Sequence, residues 1–150
     1  MVTGQTEIFQ MIMAMADKKN PRNKLGETPL HEAARNGHEK IVETILDVVE
    51  DANPKADNDS TPLHRAARRG HTMICKMILN LVEDKNPKNI IGWTPLHDAT
   101  INGHAETVKM ILQAVNDKNP SDNHGNTPFS LAQLYGYTKI CQMINEAVRT

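Results

Sequence analysis

The sequence predicts an all-α solenoid of stacked helix–turn–helix units joined by extended, hairpin-like turns. Three observations predict it. The phrase GWTPLHDATINGH at Gly92–His104 recurs as GETPLHEAARNGH from Gly26 and STPLHRAARRGH from Ser60, with a weaker copy, GNTPFSLAQLYGY, from Gly125. The threonines Thr28, Thr61, Thr94 and Thr127 lie 33 residues apart, and Gly4, Gly37, Gly70, Gly103 and Gly136 keep the same period. The Asn-Pro pairs that start at Asn20, Asn53, Asn86 and Asn119 hold that register too. A fixed period in this range marks a chain whose units bury their apolar faces only against their neighbours.

Each unit divides into the same elements. Thr94 is suited to cap a helix, because its hydroxyl accepts from a free backbone N–H of the first turn. Pro95 follows at the first helical position, where its missing N–H costs nothing. Leu96 and Ala99 then face inward, and Gly103 ends this short first helix through a left-handed residue. The second helix carries apolar residues at i, i+1, i+4 and i+5: Ile41, Val42, Ile45 and Leu46 in one unit, Ile74, Cys75, Ile78 and Leu79 in the next. That spacing makes a broad stripe for the core, with Glu43 and Asp47 outside it. The unit closes on Glu-Asp-Ala-Asn-Pro from Glu50 or Glu-Asp-Lys-Asn-Pro from Glu83, where proline halts the helix.

The TPLHxAA phrase on a 33-residue period resembles the ankyrin repeat, and the resemblance covers practically the whole chain. It implies one domain over residues 1–150, with a partial repeat at 1–22, full repeats at 23–55, 56–88 and 89–121, and a C-terminal capping repeat at 122–150. At the end of the second helix the chain departs from the family pattern. Ala16, Val49, Val82 and Val115 stand where that family usually has glycine, so the helix is expected to run longer or to end without a left-handed residue. In the last repeat Ser130 replaces histidine, while Gln133 and Asn145 put polar groups where inner repeats have alanine and leucine or methionine, as a terminal cap requires. By contrast Ile8, Phe9, Ile12 and Met13 lack a partnering first helix, which predicts further repeats upstream, or self-association through this N-terminal helix.

Composition bounds the function. The formal net charge is −1, so no global field draws the chain to nucleic acid or to an anionic membrane. No run of 18 apolar residues exists, which argues against membrane insertion, and Ile8–Ala16 lacks the basic segment of a signal peptide. The pattern at Asn58-Asp59-Ser60 is a glycosylation sequon that carries little weight in such a chain. Cys75 and Cys141 hold equivalent places two repeats apart. With packed helices about 8–10 Å apart, they lie well beyond the roughly 7 Å limit for a disulfide. A reducing setting, cytoplasmic or nuclear, follows.

No catalytic or cofactor motif is present, neither a nucleophile elbow nor a phosphate loop nor a dinucleotide fingerprint. Six of the seven histidines, His31, His38, His64, His71, His97 and His104, occupy two fixed places in the repeat. A histidine three residues after a capping threonine can bond back to that threonine or its backbone, a structural role that needs no metal. The expectation is a protein with no enzyme activity, no cofactor and no metal.

Function therefore rests on the residues that vary between repeats. The resemblance implies that a partner protein or peptide docks on the concave face, against hairpin tips and first helices. Carried onto this chain, that face offers a basic strip, Arg35, Arg65, Arg68 and Arg69, and an apolar group, Ile90, Ile91, Trp93 and Ile101, which Tyr135 extends. Trp93, Asp98, Ile101 and Asn102 are read as free of any task in building the layer. Interfaces favour tryptophan, tyrosine and arginine, and exposed apolar clusters mark binding sites. The expected partner carries an apolar anchor and an acidic segment, and alanine at Trp93 and Arg68 is expected to abolish its capture with the melting temperature nearly unchanged. The runner-up is a structural or regulatory segment that packs within a larger enzyme subunit, channel or scaffold. The resemblance also marks Asn53, Asn86 and Asn119 for hydroxylation, a partial match because alanine or lysine replaces the usual valine before each.

Overall fold

A computed structural model describes residues 20–150, and the expectations that fall on Gly4, Ile8, Phe9, Ile12, Met13 and Ala16 lie outside them. Eight helices occur among the described residues. The first helices of the repeats are α1 (Pro29–Asn36), α3 (Pro62–Arg69), α5 (Pro95–Ile101) and α7 (Pro128–Leu134). The second helices are α2 (Glu39–Val48), α4 (Thr72–Leu79), α6 (Ala105–Ala114) and α8 (Thr138–Arg149). First helices pack on first helices and second on second, while each pair also packs on itself, so two layers of helices run along the stack.

The core lies between these layers. Leu30, Leu63 and Leu96 are fully buried in the first layer, and Ala33, Ala66 and Ala99 beside them keep the helices close. The second layer contributes Val42 and Ile45, Ile74 and Ile78, Val108 and Ile111, and Ile140 and Ile144. Burying each large aliphatic side chain is worth about 1.5–3 kcal/mol. In the last repeat Gln133 and Asn145 are exposed, where Ala67 and Leu79 of an inner repeat are buried.

Histidine ties each layer to the next. Thr61 N–H donates to His64 Nδ1 at 3.1 Å, and the opposite ring nitrogen, Nε2, donates to the carbonyl of Trp93 at 2.8 Å. His31 reaches Ser60 O and His97 reaches Asn126 O in the same way, at 2.9 and 3.1 Å. An Nδ1 that accepts leaves Nε2 to carry the proton, so all three rings are neutral in one tautomer. Burial lowers the pKa of each, and pushes His64 down to about 4. Ser130 performs only the local half of this pattern, accepting from Thr127 N–H at 2.9 Å.

The second histidine position binds backward. His71 Nε2 donates to Arg35 O and His104 Nε2 to Arg68 O, both at 3.0 Å, and Tyr137 takes the same role with its hydroxyl on Ile101 O. These rings need glycine beneath them. Gly70 has φ +73°, and a Cβ there would sit 2.7 Å from His104 Nδ1, so conformation and space both exclude a side chain.

The hairpins add a ladder. Asp57 N–H donates to Leu25 O, Ile90 N–H to Asn58 O and Asn123 N–H to Ile91 O, each at 3.0 Å. At the end of the second helices Val49 and Val115 are extended, with ψ 146° and 152°, so the helix stops without a left-handed residue. In place of a glycine cap, the Lys85 ammonium donates to Leu79 O at 2.6 Å and Val82 O at 2.7 Å. Lys118 does the same for Leu112 O and Val115 O.

Candidate protein-interaction face

The hairpin tips and the outward sides of α1, α3, α5 and α7 form one continuous face. Its charge is not the open strip that the arginines suggest. Glu27 is 3 % exposed and accepts from Arg35 at 2.5 Å and from Arg65 at 2.7 and 2.9 Å. Arg35 also holds Glu32 at 2.5 Å. Burial acts to raise the Glu27 pKa, but the Arg35 hydrogen bond and the charges of both guanidinia outweigh it and hold the carboxyl below its ordinary range. Arg35 and Arg65 are therefore neutralised within the layer. Arg68 and Arg69 are exposed and make no ion pair among the described residues.

Two further expectations need correction. Trp93 is half-buried and works in the layer: its indole N–H donates to Asp122 at 2.9 Å, and its ring lies parallel to His97, with centroids 6.0 Å apart. Asp98 is only 4 % exposed. Neither residue is free of the fold, and an alanine at Trp93 removes contacts between the third and fourth repeats. The physical reason is the 33-residue offset, which sets the hairpin of one repeat against the next and brings distant variable positions into contact.

Asp122, which receives the indole, also accepts from the backbone N–H groups of His124 and Asn126, each at 2.8 Å. Burial alone would raise its pKa, but these donors and the Asn126 side chain prevail and bring it down to about 2.

The remaining residues sort into two groups. Ile90 and Ile91 are 65 % and 42 % exposed on the tip of the third hairpin. Together with Arg65, Arg68, Trp93 and Asp98 they line one pocket of about 300 Å³ between the second and third repeats. Arg69, Ile101, Asn102 and Tyr135 do not line it. Asn102 is exposed and donates to Asp98 O at 2.9 Å, at the end of α5. Ile101 is half-buried, and Tyr135 is 52 % exposed and stacked on Tyr137 at 6.0 Å. Leu134, 77 % exposed next to Tyr135, belongs to the same face and is the position that corresponds to Arg68.

At the pocket's floor Asp98 has no hydrogen-bond donor on its carboxylate among the described residues. Burial pushes its pKa up to about 7, against the lowering effect of Arg68 and Arg65 nearby. Asn58, Ser60, Asn89 and His64 complete the lining, the last of them neutral.

The three asparagines of the turns have structural work. Asn53 and Asn119 accept from the N–H of Leu63 and Phe129, at 3.1 and 2.9 Å, which pins each turn to the next first helix. Asn86 instead donates to Asp117 O at 2.9 Å and leaves its own Oδ1 buried without a partner among the described residues.

Among the described residues no helix is long and apolar enough to cross a membrane, and no group of three or more histidine, cysteine or acidic side chains could hold a metal ion. No curated protein matches the chain. A family model described as ankyrin repeats (three copies) matches residues 1–89 and 80–148. With the 33-residue register, the paired helix layers and the Thr–His bonds at the starts of α1, α3 and α5, this match shows that the chain belongs to the ankyrin-repeat family.

Proposed function

We propose that the chain is a non-enzymatic interaction module, part of a larger protein, that takes a partner protein or peptide on the hairpin tips and first helices. Ankyrin repeats are generally protein–protein interaction modules. Within that class the reading commits to Ile90, Ile91 and the edge of Trp93 as the seat of an apolar anchor. Arg68 and Arg69 attract an acidic segment beside it. The observation that carries it is the exposure of Ile90 and Ile91 directly beside the uncompensated Arg68, around one pocket. Folding accepts polar residues at both tips, since only their backbone joins the ladder. Buried apolar anchors ringed by arginine are the usual energetic centre of an interface.

The test uses exposed side chains so that the fold is spared. Ile90→Asp combined with Arg68→Glu is expected to keep the melting temperature within a few degrees and to lose the proteins retained by the unmodified chain from its native cell. Retention of the same proteins by the variant would sink the reading. The module is read as acting in the cytoplasm or nucleus, where the free thiols of Cys75 and Cys141 stay reduced. Hydroxylation of Asn53, Asn86 or Asn119 is a separate proposal, read as one added oxygen in the intact mass of protein from that cell.

A further inference from the structure

The pocket between the second and third repeats contains more chemistry than an apolar anchor uses. The corresponding place one layer earlier is filled: Glu27 of the hairpin accepts from Arg65 of the next helix and closes the surface. One layer on, Ser60 stands in place of Glu27 and Asp98 in place of Arg65. The result is an acid facing a serine, with no bond between them among the described residues. Asp98 is 4 % exposed, lines the pocket, and receives no donor among the described residues, while the Arg68 guanidinium makes no ion pair among them. A buried carboxyl group without a donor is costly in its charged form, which favours the neutral acid as pH falls. A neutral carboxyl group is itself a hydrogen-bond donor.

The charged surroundings of Asp98 are few. α3 presents Arg65, already held by Glu27, then Arg68 and the neutral His64. α7, with the sequence PFSLAQL, has no ionisable side chain, and Glu106 and Lys109 of α6 line a different pocket among the second helices. What is left is one cation without an ion pair among the described residues, one acid able to donate when protonated, the apolar walls of Ile90, Ile91 and Trp93, and the amides of Asn58 and Asn89. That set fits a short side chain with two methylenes and a terminal carboxylate. A cationic side chain would meet Arg68 at the rim.

We infer that this pocket is a carboxylate-recognition subsite that takes a glutamate or aspartate side chain of the partner, whose oxygens accept from the Arg68 guanidinium and from the protonated Asp98 carboxyl. It rests on the interaction reading above and adds the chemistry of one contact. One proton is taken up on binding whenever Asp98 is ionised beforehand, so the subsite tightens as pH falls.

The probe is N-acetyl-glutamate N-methylamide, whose only charge is the side-chain carboxylate, titrated into the whole chain and followed by the Trp93 indole and Arg68 Nε–H resonances. The expected result is saturable shifts of both, with affinity rising about tenfold from pH 8 to pH 6, the change that follows for a group titrating near 7. Asp98→Asn keeps a neutral donor, so it should bind at pH 8 as the unmodified chain does at pH 6, with a flat profile. Arg68→Gln should lose the shifts. The glutamine analogue should not bind. Stronger binding of the matching lysine derivative as pH rises, or glutamate binding indifferent to pH in the unmodified chain, would overturn the subsite. The carboxyl carbon of Asp98 titrating below the ordinary range would do the same, since it would show Arg68 already paired to it. If the probe fails while Ile90→Asp with Arg68→Glu still loses the partner, only the subsite falls. If the probe binds and the partner is kept, the interaction reading falls instead.

Discussion

His64 donates through Nε2 to the carbonyl of Trp93, 2.8 Å away and 29 residues along the chain. The bond joins the start of one first helix to the hairpin of the next repeat. It requires a ring that is neutral and protonated on one named nitrogen, because Nδ1 is occupied by the N–H of Thr61. His31 and His97 repeat the arrangement. The stack is therefore stitched by three imidazoles that cannot take a proton without losing a bond.

Acid sensitivity follows from this. For all three rings the folded-state pKa lies below the ordinary value, to about 4 for His64. The unfolded chain thus binds more protons between the ordinary histidine range and that lower value. Their contribution is fully present above about pH 6.5 and is lost as pH falls toward about 4, with His64 alone accounting for roughly 3 kcal/mol. Asp98 runs the other way. Its raised pKa makes the folded state bind more protons below about 7, which adds stability as pH falls and opposes the histidine loss. Asp98→Asn removes this opposing group, so its urea midpoint should fall steadily from pH 7.5 through 6 to 5, and more steeply than that of the unmodified chain. Level midpoints in Asp98→Asn would disprove the account.

Trp93 and Asp122 form the second inter-repeat tie to test. The indole N–H reaches the carboxylate at 2.9 Å while that carboxylate organises its own hairpin. Trp93→Phe keeps most of the ring against His97 and removes the bond, at a cost of about 1–2 kcal/mol. Asp122→Ala is expected to cost more, since it frees the two backbone N–H groups as well. A double-mutant cycle should give a coupling of about 0.5–1.5 kcal/mol. A coupling indistinguishable from zero would mean that the two side chains do not meet in solution.

The fold was legible because its determinants repeat. Thr61, Pro62, His64 and Gly70 are each local signals, and recurrence at 33 residues multiplies their weight. Even the missing glycine at Val49 and Val115 pointed to the extended helix ends that occur. The face was legible only in part. Its residues were recognised as the variable ones, but Glu27 as the hub for Arg35 and Arg65 was missed, and Trp93 and Asp98 were placed outside the layer. The contacts across repeats, Trp93 with Asp122 and Arg65 with Glu27, join residues 29 and 38 positions apart whose partners differ in every repeat. The signal that could have found them is positional. Ser60, Trp93 and Asn126 stand where the first full repeat has Glu27, next to the column Glu32, Arg65, Asp98 and Leu131. Pairing the two columns across one period puts Glu27 against Arg65 and leaves Asp98 facing serine.

Thr100 offers a stabilising change. Its hydroxyl is fully buried and has no hydrogen-bond partner among the described residues, whereas the corresponding residues of the two preceding repeats are Ala34 and Ala67. An unsatisfied buried hydroxyl costs about 1–3 kcal/mol, and threonine is also the poorer helix former. Losing one methyl group gives part of this back. Thr100→Ala is expected to gain about 1 kcal/mol, seen as a rise of a few degrees in the melting temperature. A loss of stability would show that the hydroxyl is satisfied in solution.

The lysine caps yield the last prediction. Lys85 and Lys118 each bind two carbonyls at the end of a second helix that has no glycine to turn it. In the first full repeat the same place holds Ala52, although Val49 ends α2 in the same extended conformation. A cation at a helix C-terminus is favourable by about 0.3–1 kcal/mol, and it also supplies donors to carbonyls that the helix leaves free. Ala52→Lys should therefore place its ammonium on Leu46 O and Val49 O and raise stability by about 0.5–1 kcal/mol. Lys85→Met should lose at least as much, because it leaves two carbonyls without a donor. The two effects share one electrostatic origin, so both should shrink when urea unfolding is repeated in high salt. If Ala52→Lys is neutral while Lys85→Met destabilises equally at low and high salt, packing of the lysine stem is what matters, and the capping account fails.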